Sequence, residues 1–270
     1  MTLKLTILGC GTSGGVPRIG NMWGACDPAN PKNRRRRCSL LVERAGAEGT
    51  TTVLVDTPPD LREQLLDVGV GWLDGVLYTH DHADHSHGID DLRMVAYNGR
   101  RRVNIYFDDA TGRNLRPRFA YCFETPPGSE YPAVLDGHEI RAGARLSIAG
   151  AGGPIEVLPF RQLHGQGETL GFRFGGIAYS PDVSDLPEES LKHLEDLDVW
   201  IIDALRYTTH PSHLSVEQAL SWIARVKPKR AVLTHMHVDL DYARLAAELP
   251  PGVEPAYDGM VLTTEAREAF

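Results

Sequence analysis

Hydrophobic residues in this chain fall into short runs, rich in β-branched side chains, that are separated by polar segments with glycine and proline. Runs of this kind predict β-strands. The predicted strands cover Leu3–Leu8, Ser39–Glu43, Thr52–Val55, Gly75–Tyr78, Val103–Phe107, Ile155–Phe160, Leu170–Phe174, Ile177–Tyr179, Val199–Ile202 and Ala231–Thr234. Strands are therefore expected along most of the chain.

Amphipathic segments between these runs predict helices. They cover Asp60–Leu66, a segment beginning near His85 and running through Met94, Pro187–Leu194, Ser215–Arg225 and Tyr242–Leu249. The mixture indicates an α/β chain whose sheets are faced by helices. Because proline and glycine are spread along the chain without a linker or a repeat, residues 1–270 are predicted to form one domain.

Two segments lack a clear period, Gly9–Asn33 and Asp108–Gly137. Long loops in compact domains are often functional. These two would either wall a pocket or cover the core or a partner surface. Tyr121 and Phe123, in the second segment, would either stack on a base or sugar or pack in the core.

Composition narrows the classes of partner. The net charge of −8 disfavours a broad grip on extended nucleic acid, although bound metal ions would allow a small phosphate to bind locally. No apolar stretch approaches the roughly 18 residues of a membrane span. The first residues indicate a strand rather than a signal peptide, and the four cysteines include no CxxC pair, so a cytoplasmic protein without a disulfide framework is expected.

The most specific pattern is His-x-His-x-Asp-His, formed by His80, His82, Asp84 and His85 directly after a predicted strand. Imidazole and carboxylate suit zinc, manganese and iron. His80 and His82 would share one side of extended chain, whereas Asp84 and His85 follow where a helix should begin. The alternative is a polar surface loop. The pattern favours two adjacent ions, and two ions favour hydrolysis.

Each ion would need further ligands, and three polar residues follow predicted strands as His80 does. They are His164, Asp182 and His235. For each one alone, capping of a turn is an equally good interpretation. Together they extend the candidate metal site.

These seven residues, in this order, resemble the ligand set of the metallo-β-lactamase superfamily. The resemblance implies an αββα sandwich of two mixed β-sheets flanked by helices, with the metals at one edge. It implies that His80, His82 and His164 hold the first ion, that Asp84, His85 and His235 hold the second, and that Asp182 bridges them.

Further segments resemble one branch, the phosphoribosyl cyclic phosphate phosphodiesterases, and more distantly the tRNA 3′-processing ribonucleases. They are residues 8–17, Arg37-Cys38-Ser39, Leu233-Thr234-His235 and residues 257–260. Members of this branch often carry a cysteine cluster that holds a structural zinc. This chain departs from that pattern, because only Cys26 and then Cys38 are available, and no third metal is expected.

The resemblance also indicates His213 as a proton donor to the leaving group, with an inert residue at a helix N-terminus as the alternative. Asp56 and Asp258 would either orient ligand histidines or cap turns. Gly9–Gly15 would either expose amides to a phosphate or form a tight turn. Arg34–Arg37 is expected to form a solvated face rather than a substrate contact, and His87 is expected to be exposed or behind the ligands.

The sequence thus predicts a dinuclear phosphodiesterase that cleaves a small cyclic or nucleotide-like phosphodiester with a hydroxide bridging two divalent ions, Zn²⁺ by default and Mn²⁺ as the alternative. The catalytic residues would be Asp182 and His213. Other interpretations are a thioester or lactone hydrolase, a tRNA 3′-processing-like nuclease, and a non-catalytic metal- or nucleotide-binding accessory protein. A homodimer is the default assembly, because dimers are the commonest oligomers.

Overall fold

The computed structural model describes residues 2–265. Its strands are β1 Thr2–Gly9, β2 Ser39–Gly46, β3 Gly49–Val55, β4 Gly75–Leu77, β5 Val103–Phe107, β6 Leu135–Glu139, β7 Leu146–Ile148, β8 Ile155–His164, β9 Gly167–Phe174, β10 Ile177–Ser180, β11 Val199–Asp203, β12 Arg230–Thr234, β13 Val253–Pro255 and β14 Val261–Glu265. Its α-helices are α1 Leu61–Val68, α2 Ala83–Ser86, α3 Leu92–Gly99, α4 Asp109–Arg118, α5 Ala120–Phe123, α6 Glu188–Leu191, α7 Val216–Val226 and α8 Tyr242–Glu248.

The strands form two mixed sheets. The first has the order β14-β1-β2-β3-β4-β5-β6 and the second the order β13-β12-β11-β10-β9-β8-β7. Strands β3 to β6 run parallel in the first sheet, and β10 to β13 run parallel in the second. Carboxyl ends of parallel neighbours therefore meet at one edge of each sheet.

Alternation along the strands decides which face each side chain covers. In β2, Leu40 and Val42 belong to a core that joins the two sheets, whereas Leu41 points into a second core beneath α1 and α3. The same two-residue period separates Leu54 from its neighbours in β3. The first core also continues under α7 and α8. This architecture confirms the predicted αββα sandwich.

Every predicted strand is present, but the prediction that Asp108–Gly137 is irregular was wrong. This segment contains α4, α5 and the start of β6. Asp108 caps α4 by accepting a hydrogen bond from the Thr111 amide at 2.8 Å. The helix was missed because it buries few residues and contains Pro117. Strands β7, β13 and β14 were also missed; they are short, and all three lie at sheet edges.

The predicted helix from His85 to Met94 is interrupted. Helix α2 ends at Ser86, and a 3₁₀ turn at Ile89–Asp91 leads into α3. Gly88 lies at the break, where its amide donates to the Thr57 carbonyl at 2.8 Å. A Cβ atom there would lie 2.1 Å from the Pro58 carbonyl oxygen, so this close approach requires glycine. Within residues 2–265, no helix has the length and apolar character needed to cross a membrane.

Candidate metal centre

Polar side chains gather where the carboxyl ends of parallel strands meet. Asp203 is the last residue of β11, and Asp182 and His235 follow β10 and β12 within two residues. His164 ends β8, which runs in the same direction as β10 because each is antiparallel to β9. In the first sheet, Asp56 follows β3 and the His80–His85 motif follows β4. The topology thus brings distant sequence segments to one edge of the sandwich.

The structure brings the seven predicted ligands together in two neighbouring groups. The nitrogen atoms of His80, His82 and His164 in the first group lie within 4.8 Å of one another. The second group meets the same criterion with Asp84, His85, Asp182 and His235. These groups match the division between two ions that the resemblance to the superfamily implied, while their occupation by metal stays a prediction.

Asp182 lies at the centre of this arrangement. Its Oδ1 atom is 2.9 Å from Nε2 of His85. Its Oδ2 atom also lies within 4 Å of further histidine Nε2 atoms, namely those of His235 (3.6 Å), His164 (3.8 Å), His213 (3.8 Å) and His80 (3.9 Å). The carboxylate therefore faces both groups, which is the placement that a bridging ligand needs.

Asp56 and Thr79 fix the orientation of two histidines from behind. Asp56 Oδ2 lies 2.7 Å from Nδ1 of His85 and accepts the Thr79 hydroxyl at 2.8 Å. The Thr79 oxygen is in turn 2.9 Å from Nδ1 of His80. Because the Asp56 carboxylate only accepts, it binds the Nδ1 proton of His85 and the hydroxyl proton of Thr79. The Thr79 oxygen therefore accepts the Nδ1 proton of His80, and each Nε2 atom is left facing the centre. Of the two roles predicted for Asp56, the geometry supports orientation of a histidine.

Sequence reasoning missed Asp203, which holds His213. Asp203 Oδ2 lies 2.7 Å from Nδ1 of His213 and accepts the Val183 amide at 3.1 Å. Its Oδ1 is 3.9 Å from Nδ1 of His235, whose ring stacks on that of His213 with centroids 4.4 Å apart. The rule that found Asp182 and His235, a polar residue at a strand end, would have found Asp203 as well.

The charges at the centre suit cation binding. Burial lowers the pKa of His164 to about 4 and holds the pKa of His80 well below its usual range. Burial opposes ionisation of Asp182, but His235 and His85 hold its pKa well below the ordinary value. Burial also opposes the charge on His85, yet the carboxylates of Asp182, Asp56 and Asp84 raise its pKa well above the usual value. Such clustered carboxylates would stabilise a divalent ion.

The buried polar atoms provide a test of whether ions fit here. Within residues 2–265, the Nε2 atoms of His80, His85 and His235 and the Oδ1 atom of Asp182 are buried without a hydrogen-bond partner, because the close pair of His85 Nε2 and Asp182 Oδ1 lacks hydrogen-bond angles. Buried polar groups are normally paired. All four atoms belong to the two ligand groups, so divalent ions would bind lone pairs that the protein leaves without a partner.

Other residues singled out in the sequence lie in different surroundings. Asp258 accepts hydrogen bonds from the amides of Cys10 and Arg36, as expected of a residue that caps turns, and no ligand histidine is among its hydrogen-bond partners. His87 is exposed beside Phe119. In the opening segment, the Gly11 amide donates to the Arg36 carbonyl at 2.8 Å, so this glycine serves close packing rather than presenting its amide to a phosphate.

The cysteines and the aromatic pair are also placed. The groups of metal-binding side chains found in residues 2–265 contain no cysteine. Cys26 donates to the carbonyls of Val238 and Leu240, and Cys38 to that of Gly11. Phe123 is buried in the core and Tyr121 is partly exposed.

The prediction that Arg34–Arg37 forms a solvated face was wrong in part. Arg34 is exposed, but Arg35 is buried, and Arg36 and Arg37 are half-buried. Arg36 pairs with Asp67 and Asp258, and Arg37 pairs with Asp60. Local acidic partners allow a run of like charges to fold against the protein surface instead of extending into water.

Comparison with known proteins agrees with this geometry. A family model described as the beta-lactamase superfamily domain matches residues 51–236. A solved structure described as a new diphosphatase from the PhnP family has a TM-score of 0.87 and 35% sequence identity, and the match covers 98% of each chain. Zn²⁺-bound PqqB from Methylobacterium extorquens has a TM-score of 0.74 at 18% identity, over 96% of this chain and 99% of that one, which shows a shared fold.

A curated relative from Porphyromonas gingivalis is named octanoyltransferase. It is 33% identical over 261 residues, which are 96% of this chain but 51% of that protein. The chain thus spans about half the length of this relative. The family model and the diphosphatase structure together place the chain in a family: it belongs to the metallo-β-lactamase superfamily of metal-dependent hydrolases, in the PhnP-like branch.

Proposed function

We propose that this protein is a phosphodiesterase that hydrolyses a small cyclic or nucleotide-like phosphodiester with the help of two divalent ions, zinc or manganese. The observation that carries the proposal is the position of Asp182, which faces both ligand groups and His213 within 4 Å. One carboxylate between two sets of histidines suits a pair of ions better than a single ion.

The metal ligands would be His80, His82 and His164 in the first group and Asp84, His85 and His235 in the second, with Asp182 between them. When bound, two ions would activate a water molecule and neutralise charge on the phosphoryl group. Burial of His80 and His164 keeps their imidazoles neutral near pH 7, the form that binds metal.

His213 would supply a proton to the departing alkoxide. Asp203 holds its Nδ1 atom, so its Nε2 atom points toward Asp182 and the reacting group. Burial lowers the pKa of His213 and Asp182 opposes that shift, so the hydrogen bond between Nδ1 and Asp203 would help to hold the charged imidazolium that a proton donor needs. Alkoxides are poor leaving groups without such a proton, whereas activated phenolates depart unaided.

The relatives support chemistry at phosphorus more than at an acyl carbon. The structure at 35% identity is described as a diphosphatase, and it matches the chain nearly end to end. The octanoyltransferase name belongs to a protein of which this chain matches about half. The substrate panel should accordingly include diesters of diphosphate as well as cyclic monophosphates.

The first test is hydrolysis of bis(p-nitrophenyl) phosphate by metal-free protein reloaded with zinc or manganese. Asp182→Ala is expected to abolish metal-dependent turnover. Asp185→Ala is the matched control, because Asp185 is an exposed aspartate three residues away and should be dispensable. Absence of turnover by the wild-type protein with either metal, together with cleavage of thioesters or lactones, would overturn the proposal in favour of acyl hydrolysis.

A further inference from the structure

Arg35 is a buried cation whose surroundings differ from those of its neighbours in the arginine run. Arg35 is 1% exposed to solvent. Its Nη2 group donates to the Leu240 carbonyl at 2.7 Å and to Asn33 Oδ1 at 3.3 Å, and its Nη1 group donates to the His237 carbonyl at 3.3 Å. All these acceptors are neutral. Within residues 2–265 no salt bridge to Arg35 is present, and burying a charge without an ionic partner is costly, so the neutral acceptors must hold the guanidinium group in place.

The carbonyl groups that Arg35 binds belong to the turn directly after the candidate ligand His235. Asn33 also binds the end of this turn, because its Oδ1 atom accepts a hydrogen bond from the Tyr242 amide at 2.7 Å. Its Nδ2 group donates to Asp241 at 2.6 Å. Residues 33–35 thus hold the turn 236–242 from the side of the opening segment.

His235 needs such support. Its φ of 57° lies in the left-handed region, which is unfavourable for a residue with a Cβ atom. Such conformations persist when the surrounding structure determines them strongly. The chain is fixed immediately afterwards, where the Met236 amide donates to the Cys10 carbonyl at 2.9 Å and the His237 amide to the Leu205 carbonyl at 2.9 Å. Arg35 then binds the carbonyl group of His237 itself.

We propose that Arg35 is a positioning residue for the second ligand group: its guanidinium group holds the turn after His235 and thereby keeps the His235 imidazole aimed at the candidate metal position. This inference rests on the proposed metal site. Arg35, the most deeply buried member of the arginine run, thus supports metal binding rather than substrate binding.

The test compares metal binding by Arg35→Met, Arg35→Lys and wild-type protein in equilibrium dialysis with zinc or manganese. Loss of an outer group that orients a ligand typically costs about 10- to 100-fold in metal affinity. Arg35→Met should weaken the binding of one of the two ions by that factor. The amide hydrogens of residues 236–237 should also exchange faster. Lysine should rescue little, because one ammonium group cannot span acceptors that the planar guanidinium binds together.

Reference variants identify which ion is affected. His235→Ala should weaken the binding of the same ion as Arg35→Met does, whereas His82→Ala should weaken the binding of the other ion. If Arg35 acts through His235, the double variant Arg35→Met/His235→Ala will bind metal no worse than His235→Ala alone. Arg34→Met is the matched control, because Arg34 is the exposed neighbour.

Equal weakening of both ions, or additive losses in the double variant, would overturn the proposal, as would wild-type metal binding in Arg35→Met. If Arg35→Met does not fold, Arg35→Lys decides by the same comparison with His235→Ala. Because the readout is metal binding without substrate, a failure of the proposed phosphodiesterase activity would leave this test intact.

Discussion

The pair formed by His213 and Asp203 gives the sharpest prediction about catalysis. His213→Gln removes the proposed proton donor, and Asp203→Asn leaves the imidazole but removes the carboxylate 2.7 Å from its Nδ1 atom. Both changes should slow substrates with alkoxide leaving groups. Substrates that release p-nitrophenolate should be affected much less, because their leaving group departs without a proton.

The magnitudes differ for the two variants. A general acid contributes about 10²- to 10⁴-fold, which is the loss expected for His213→Gln on an alkyl phosphodiester. A hydrogen bond to a charged group contributes about 1.5–3 kcal/mol, or roughly 10- to 100-fold in rate, which is the loss expected for Asp203→Asn. Because Asp203 would act through His213, the double variant should be no slower than His213→Gln alone.

The assay measures kcat for a matched alkyl and p-nitrophenyl substrate pair at saturating metal. Metal content must be measured in parallel, because Asp203 also lies 3.9 Å from Nδ1 of His235. His138→Gln, at an exposed histidine on β6, is the control. Equal losses on both substrates with full metal content would refute the role of His213 as a proton donor.

Three further predictions follow from the same structure. Asp56→Ala should weaken one metal ion by about 10- to 100-fold in dialysis, because the His85 imidazole loses its anchor; unchanged affinity would contradict this role. Burial raises the pKa of Asp258 to about 6 from 3.8, so the folded state binds a proton that the unfolded state lacks between these values. The stabilisation that Asp258 contributes to the free energy of unfolding should therefore fall by up to about 3 kcal/mol as the pH rises from about 4 to 6. Asp258→Asn should remove that pH dependence in urea titrations; an unchanged pH dependence in the variant would contradict the prediction. Phe160→Ala, in the core between the sheets, should lower the free energy of unfolding by about 3–5 kcal/mol in the same titrations; a loss below about 1 kcal/mol would show that this core is loosely packed.

The ligand candidates could be predicted from sequence because one local rule covers most of them. Buried strands are visible as apolar runs, and a polar residue just beyond such a run tends to lie at the sheet edge. That rule located His164, Asp182 and His235 without any knowledge of their distances. The same rule also covers Asp203, which directly follows the predicted strand Val199–Ile202, although Asp203 was not among the predicted site residues.

Contacts that depend on tertiary packing could not be predicted in this way. Burial of Arg35 depends on carbonyl groups contributed by residues about two hundred positions later, which no local pattern encodes. Helix α4 was hidden because its sequence is mostly polar and buries few residues. Near Gly88, the apolar pattern predicted a continuous helix, whereas packing against Thr57 and Pro58 interrupts it.

The central claim is that two ions bound around Asp182 support phosphodiester hydrolysis. The most direct measurement titrates metal-free protein with zinc or manganese while following both bound metal and hydrolysis of bis(p-nitrophenyl) phosphate. We expect turnover to rise until two ions are bound per chain and to be absent in Asp182→Ala. Full activity with one bound ion, or two bound ions without hydrolysis of any phosphodiester, would contradict the account.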